Sequence, residues 1–239
     1  MDPAHLPGPV WVVAPHPDDE ALGCGALLAA LRSQGSEVWA LLLTDGGFSH
    51  PGSREFPRER LAAARLAEWR RGLAQLGVPP ERARALGLPD GALAAVPPGE
   101  LTRAVQEAFG TAPPALVLLP WQRDPHPDHR AAWAPVRAAT DAAVLGYSVW
   151  LSERGRENDW PSPAEAQALS FVVEPYAAQK AAAIAAHATQ LGAITDDPGG
   201  FTLAPAMVAR AVAGPELYFR PLDGGEPGPL GQITPRAGA

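Results

Sequence analysis

The chain of 239 residues contains one cysteine, Cys24, which excludes an internal disulfide framework and any cysteine-rich zinc module. A bound metal would have to draw on histidines and carboxylates. Positive charge is also scarce: 19 lysines and arginines face 26 aspartates and glutamates, a net charge of −7, and no basic block interrupts the sequence. Gripping a phosphate backbone or anionic lipid depends on clustered positive charge, so nucleic acid is not an expected partner. Long hydrophobic runs are missing as well. The longest near the start, residues 21–31, lies between Asp18-Asp19-Glu20 and Arg32 and is far too short to span a bilayer. Residues 1–5 lack the cationic region and apolar core of a signal peptide, and the plain expectation is a cytoplasmic protein with no membrane partner.

What remains, 46% apolar and 19% charged, is the composition of a compact globular protein, and the length fits one α/β domain covering residues 1–239. Apolar runs at 9–14, 38–43 and 115–119, with a weaker one at 83–88, read as strands ending at turn residues. Between them, helical spacing covers residues 18–34, 59–76 and 100–109. Beyond the fourth strand the pattern predicts a helix at 130–145, an extended segment at 147–151, a strand at 169–173 and an alanine-rich helix at 177–190. A short helix at 205–211 and a strand at 217–220 follow. Residues 221–239 form a Gly/Pro-rich tail, read as an ordered wrap or disorder. Such alternation implies a mainly parallel sheet with helices on both faces, a three-layer α/β fold.

Two tetrapeptides stand out, His16-Pro17-Asp18-Asp19 and His126-Pro127-Asp128-His129, each in the loop after a strongly apolar strand. Proline disfavours the helical region for the histidine before it and suits the first turn of a helix after it. Each corner can therefore aim two side chains, three positions apart, toward one point. In doubly wound sheets ligands bind beyond the strand ends where the strand order reverses, and strands one and four flank that reversal. A histidine, a carboxylate and a second histidine meeting there, His16, Asp19 and His129, make a three-ligand hydrolytic zinc site, and Asp18 and His126 beside it can do proton and charge work. Taken alone, Asp18 and Asp19 would be read as acids satisfying a helix start. Two matched corners favour the joint site.

Ala14-Pro15-His16-Pro17-Asp18-Asp19-Glu20 and His126-Pro127-Asp128-His129 resemble the two signature motifs of the LmbE-like, or PIG-L, family of zinc-dependent N-acetylglucosaminyl deacetylases. The likeness extends to Thr44-Asp45-Gly46, Arg65-Leu66-Ala67-Glu68, Leu88-Pro89-Asp90-Gly91, and Lys180 with His187-Ala188-Thr189-Gln190. It implies a Rossmann-like fold and small N-acetylated amino-sugar conjugates as substrates, as in deacetylases of mycothiol, bacillithiol and glycosylphosphatidylinositol synthesis. It further implies His16, Asp19 and His129 as zinc ligands, Asp18 as general base and a cationic His126 stabilising the oxyanion, with Asp128 orienting His126. Arg65 and Asp90 match substrate-contacting positions, and the bland alternative for Arg65 is a helix-surface pair with Glu68. Such a His2Asp site also accepts iron(II), cobalt or manganese.

Asp45 reads as a turn residue, Glu20 as a first-turn acid, Cys24 as core and Trp121 as packing or a sugar platform. His5 and His50 read as loop residues, and His187 has no readable role. The 49–54 loop is a candidate specificity element. A dinucleotide-dependent oxidoreductase fits poorly, because Gly23-Cys24-Gly25 lies within a helix and position 28 is leucine. A noncatalytic sugar-binding module would need neither Asp18 nor His126. A metal hydrolase of another amide or an ester shares every feature named so far.

Overall fold

The computed structural model describes residues 1–110 and 112–222, so residues 223–239 of the Gly/Pro-rich tail lie outside the described residues. One seven-stranded sheet organises the chain. Its strands are β1 (Val10–Ala14), β2 (Val38–Thr44), β3 (Ala83–Leu88), β4 (Leu116–Pro120), β5 (Ala143–Tyr147), β6 (Ala166–Phe171) and β7 (Glu216–Pro221), in the order β3-β2-β1-β4-β5-β7-β6. All neighbours from β3 to β5 are parallel, and β7 runs antiparallel to both β5 and β6. The helices are α1 (Asp19–Ser33), α2 (Arg58–Gln75), α3 (Pro98–Phe109), α4 (Pro127–Ala138), α5 (Leu151–Arg154), α6 (Ala177–Ala185) and α7 (Pro205–Ala213).

Strand alternation builds the three layers. Val10, Val12 and Ala14 of β1, with Leu116 and Leu118 of β4, face a core completed by Leu27 and Leu31 of α1, Trp69 of α2, Ile184 of α6 and Met207 of α7. Trp11 and Val13, with Val117 and Leu119, face Leu101 and Val105 of α3 and Trp133 and Val136 of α4. Every residue of β1 and β4 is buried, as expected for central strands covered on both faces. A buried carboxylate joins the C-terminal elements to α1: Glu216 accepts hydrogen bonds from the backbone N–H groups of Ala26 (2.7 Å) and Leu27 (3.0 Å) and from Lys180 Nζ (2.7 Å).

The structure departs from the sequence reading in five places, one being the strand read at 169–173, which is β6 at Ala166–Phe171. The helix expected at 130–145 ends at Ala138, and 143–147 is strand β5, paired with β4 in the register Leu116↔Ala143 and Leu118↔Leu145. Alanine is a strong helix former, but local propensity is small beside tertiary context, and burial in the sheet overrides it. The extended segment expected at 147–151 is instead the end of β5 and the turn into α5. The alanine-rich helix stops at Ala185, and a separate 3-10 turn at Ala188–Gln190 lets Thr189 donate to Glu68 of α2 through its N–H (2.9 Å) and hydroxyl (2.5 Å). Finally, α1 begins at Asp19, so Pro17 precedes the helix, whereas Pro127 is the first residue of α4.

No helix among the described residues is long and apolar enough to cross a membrane. The strand order reverses between β1 and β4, and the loops leaving those two strands carry the two tetrapeptides.

Candidate active site

Three side chains converge where the two loops meet. Asp19, the first residue of α1, has its Oδ2 3.3 Å from His16 Nδ1 and 3.1 Å from His129 Nε2. Atoms bound to a tetrahedral ion at zinc-ligand distances lie roughly 3.3 Å from one another. Both ring nitrogens of His129 are fully buried without an aligned hydrogen bond, Nε2 with Asp19 beside it and Nδ1 with Asp124. His126 adds a third imidazole, its ring centroid 4.5 Å from that of His16 and 5.0 Å from that of His129. His16, His126 and His129 each offer a nitrogen within 4.8 Å of the others.

Carboxylates back the far nitrogens. His16 Nε2 lies 3.0 Å from Asp128 Oδ2 and 3.3 Å from Asp90 Oδ1, and His129 Nδ1 lies 3.1 Å from Asp124 Oδ1. Such partners fix the ring orientation and raise the basicity of metal-binding histidines. Burial opposes protonation of His129, but Asp19 and Asp124 outweigh it and raise its pKa to about 9. His16 is likewise held well above its ordinary value by Asp128, Asp19 and Asp90 against the cost of burial. Without a cation, protons supply the positive charge that the carboxylates demand. The imidazole and carboxylate donors gathered here suit a divalent ion in chemical type and in charge.

Asp18 occupies the N-cap position of α1 but makes no capping hydrogen bond, which removes the helix-start reading for this residue. Its φ of 121° makes it the only non-glycine residue at positive φ among the described residues, a strained conformation of the kind that gathers at functional sites. Burial pushes its carboxyl up to about 7 against the pull of Arg65. Arg65 donates to Gly46 O (2.8 Å), Pro17 O (2.8 Å) and Asp18 Oδ2 (3.2 Å), tying the loops after β1 and β2 together. The helix-surface pair with Glu68 is absent, since Glu68 is engaged with Thr189; the Arg65 guanidinium is instead buried against protein acceptors at the wall of the cavity described below. Gly46 sits at φ +64°, and a Cβ there would come within 2.8 Å of the Pro17 ring, so glycine is required where the arginine docks.

Two expectations about the second motif are corrected. The Asp128 carboxylate does not hold His126; it accepts the N–H groups of Gly91 (2.8 Å) and Leu93 (3.0 Å) and faces His16. His126 is oriented by the backbone instead, its Nδ1 accepting the Asp128 N–H at 3.2 Å. That bond assigns the ring proton to Nε2. Nor is His126 cationic: an imidazolium has no lone pair with which to accept that N–H, and in the metal-free protein burial and the neighbouring charges of His16 and His129 lower its pKa to about 4.

Asp90 faces the site from the loop after β3. Its Oδ2 accepts the Phe48 N–H at 2.9 Å, and contact with His16 lowers its pKa to about 2 despite burial. Asp45 is the turn residue expected, accepting the Gly47 N–H at 2.9 Å. Trp121 is fully buried against Trp133 and Phe219 and is packing. Glu20 is buried 3.8 Å from His187, and neither side chain lines the cavity described next.

A cavity of about 650 Å³ opens over His16, Asp18, Asp19 and His126, a size suited to a small molecule. Sequence reasoning missed Phe48, Trp150, Arg154 and Phe201 in its wall, and missed Asp124 behind His129. Asp124 is fully buried and accepts the N–H groups of His126 (3.0 Å) and Trp150 (2.9 Å) besides facing His129. Its position two residues before the second motif was the only available signal. The wall residues lie far away in sequence with no common pattern.

Comparison with known proteins agrees with this architecture. The family described as PIG-L, GlcNAc-PI de-N-acetylase, matches residues 11–140, a span holding both motifs. A 1D-myo-inositol 2-acetamido-2-deoxy-alpha-D-glucopyranoside deacetylase of Tsukamurella paurometabola is 28% identical, the match covering 92% of this chain and 95% of that protein. A diacetylchitobiose deacetylase of Thermococcus kodakarensis is 35% identical over 58% of this chain; the match spans about half, 52%, of the relative. The crystal structure of a conserved protein of Thermus thermophilus superposes with a TM-score of 0.59 at 26% identity, covering 84% of each chain. With both motifs folded into one site inside the matched span, the chain belongs to the PIG-L, or LmbE-like, family of N-deacetylases.

Proposed function

We propose that this protein hydrolyses the acetamide of an N-acetylated amino sugar carried in a small conjugate, releasing acetate and a free amine. The observation that carries the reading is the Asp19 carboxylate lying 3.3 Å from His16 Nδ1 and 3.1 Å from His129 Nε2 beneath the cavity, with the Asp18 carboxyl alongside. A divalent cation held by His16, Asp19 and His129, zinc first and iron(II), cobalt or manganese by the same donor chemistry, would supply Lewis acidity toward water and the acetyl carbonyl.

The chain's own groups do the rest. Asp18 takes a proton from the attacking water; burial raises its carboxyl above the ordinary carboxylate range, which suits a group that must both accept and return a proton. Arg65 holds that carboxyl in position through Asp18 Oδ2. His126, neutral with its proton on Nε2, donates to the carbonyl oxygen as negative charge develops there. Asp18 then passes its proton to the departing nitrogen, so the C–N bond breaks with a neutral amine leaving and acetic acid remaining, and the acid gives its proton to the freed Asp18 carboxylate or to solvent as acetate. Asp90, ionised at the cavity wall, is available to accept a sugar hydroxyl.

The test is acetate and free-amine release from a panel of N-acetylglucosamine conjugates, using protein stripped by chelator and reloaded separately with zinc, iron(II), cobalt and manganese, with Asp18→Ala as control. Release that requires metal and Asp18 supports the reading. No release from any conjugate with any metal, or equal release by the chelated protein, overturns it.

A further inference from the structure

Part of the cavity wall is built from two segments that contain neither helix nor strand, residues 45–57 and 191–204. Ser49 and Pro51 of the first and Phe201 and Thr202 of the second line the cavity. With no regular ladder inside either segment, their backbone groups are satisfied across the gap between them. Asp196 Oδ1 accepts the Ser53 hydroxyl (2.6 Å), and its Oδ2 accepts the N–H groups of Arg54 (2.7 Å) and Glu55 (3.0 Å). Asp197 Oδ2 accepts the Gly52 N–H at 2.8 Å. Nearer the cavity, the Phe201 N–H donates to Ser49 O (2.7 Å) and Gln190 Nε2 to Ser49 Oγ (3.1 Å).

Each segment is also fixed to the body of the protein. The Phe48 N–H is bonded to Asp90, Thr189 is bonded to Glu68 of α2, and the buried Ile194 and Leu203 anchor the stretch that carries Asp196. His50, 3% exposed, packs against Gly200 where the two segments touch. The remaining span of the first segment, residues 52–55, is held by the two aspartates, neither of which lines the cavity. Asp196 takes three of those four bonds.

We propose that Asp196 is a positioning residue for substrate: it latches the 49–55 loop onto the 194–202 segment, so that the wall they share meets the conjugate as one preformed surface. This rests on the deacetylase reading above and adds a residue, remote from the chemistry, that sets the fit. The metal-binding groups, Asp18 and His126 lie on other loops, so releasing the latch loosens the wall and leaves the reacting groups in place. The loss falls on KM and not on kcat. Hydrogen bonds to an ionised carboxylate are the stronger kind, and losing three of them at the surface corresponds to roughly tenfold in affinity.

The experiment compares metal-loaded wild type, Asp196→Ala and Asp196→Asn. Acetate release from an N-acetylglucosamine conjugate gives KM and kcat, calorimetry on the same three proteins in an Asp18→Asn background gives conjugate affinity, and trypsin cleavage after Arg54 reports opening of the loop. Asp196→Ala should raise KM and weaken binding roughly tenfold with kcat within about twofold and metal content at the wild-type level, and the cut after Arg54 should be roughly tenfold faster. Asp196→Asn, whose amide oxygen can still accept both N–H groups, should recover most of each change. Unchanged cleavage, unchanged KM and affinity, or a kcat that falls as far as KM rises overturns the inference. Weaker binding and faster cleavage in Asp196→Ala, both recovered in Asp196→Asn, with no acetate released by wild type, support the latch and fault the deacetylase reading instead.

Discussion

Replacing Asp124 by asparagine tests the site at a residue that is neither a metal ligand nor a proton carrier. Its two oxygens face three donors: Oδ1 lies 3.1 Å from His129 Nδ1 and accepts the His126 N–H at 3.0 Å, and Oδ2 accepts the Trp150 N–H at 2.9 Å. Asparagine has one carbonyl oxygen, so at least one of these donors loses its acceptor inside a fully buried pocket. That costs about 1–3 kcal/mol of stability. Removing the carboxylate behind a ligating imidazole also lowers metal affinity by roughly 10- to 100-fold.

A pH signature separates the two effects. In the metal-free protein His129 titrates at about 9, raised above its unfolded value by Asp19 and Asp124. A raised histidine pKa contributes stability below the unfolded pKa of about 6.5 and loses it as pH climbs through the folded one, while metal binding, which must displace that proton, strengthens over the same window. Chelator-competition titrations from pH 6.5 to 9 should therefore show wild-type metal affinity still rising near the upper end, with Asp124→Asn weaker and levelling off at lower pH. Unchanged affinity with an unchanged pH profile would refute this account of Asp124.

Four further outcomes follow from the same geometry. Asp18→Asn should lower kcat by roughly 10²- to 10⁴-fold while bound metal, measured by elemental analysis, stays at the wild-type level. The acid limb of kcat/KM should fall at or below pH 7, because Asp18 titrates at about 7 without a cation and a neighbouring cation stabilises its ionised form; a limb above 7 contradicts Asp18 as the base. Because His126 works as a neutral donor, His126→Gln should keep part of the turnover that His126→Ala loses, and equal losses would remove the donor role. Gly23→Ala should destabilise the fold by about 1–3 kcal/mol in urea unfolding, since a Cβ there would lie 2.4 Å from Tyr147 Cδ2, on a ring whose hydroxyl is bonded to Val13 O.

The central part of the fold is legible in sequence because β1, β2 and β4 are apolar on both faces and bounded by turn residues, a pattern that burial alone imposes. Legibility fails where a local preference is overruled from a distance. Residues 143–147 follow an alanine-rich stretch and carry no β signal strong enough to outvote it; they become β5 because β4 offers an unpaired buried edge on one side and β7 can pair on the other. The end of α6 is hidden for a related reason. Nothing in 177–190 forbids helix throughout, yet Glu68 on α2 captures the Thr189 N–H and hydroxyl and draws the chain out of it.

The site divides along the same line. Residues that act through a short-range corner, His16, Asp19, Asp18 and His129, are readable because proline and the three-residue spacing fix their directions locally. Residues that act by filling another group's valence are not. The Asp128 carboxylate turns to His16 rather than His126 because the N–H groups of Gly91 and Leu93 hold it there, and those come from a segment 35 residues upstream. With its side-chain partner gone, His126 takes both its tautomer and its neutrality from a backbone N–H that occupies the Nδ1 lone pair, so the loss of one expected contact also removes the expected cation. A neutral donor suits the chemistry better than a cationic one: it can stabilise a developing oxyanion without competing with a bound divalent ion for the same carboxylates.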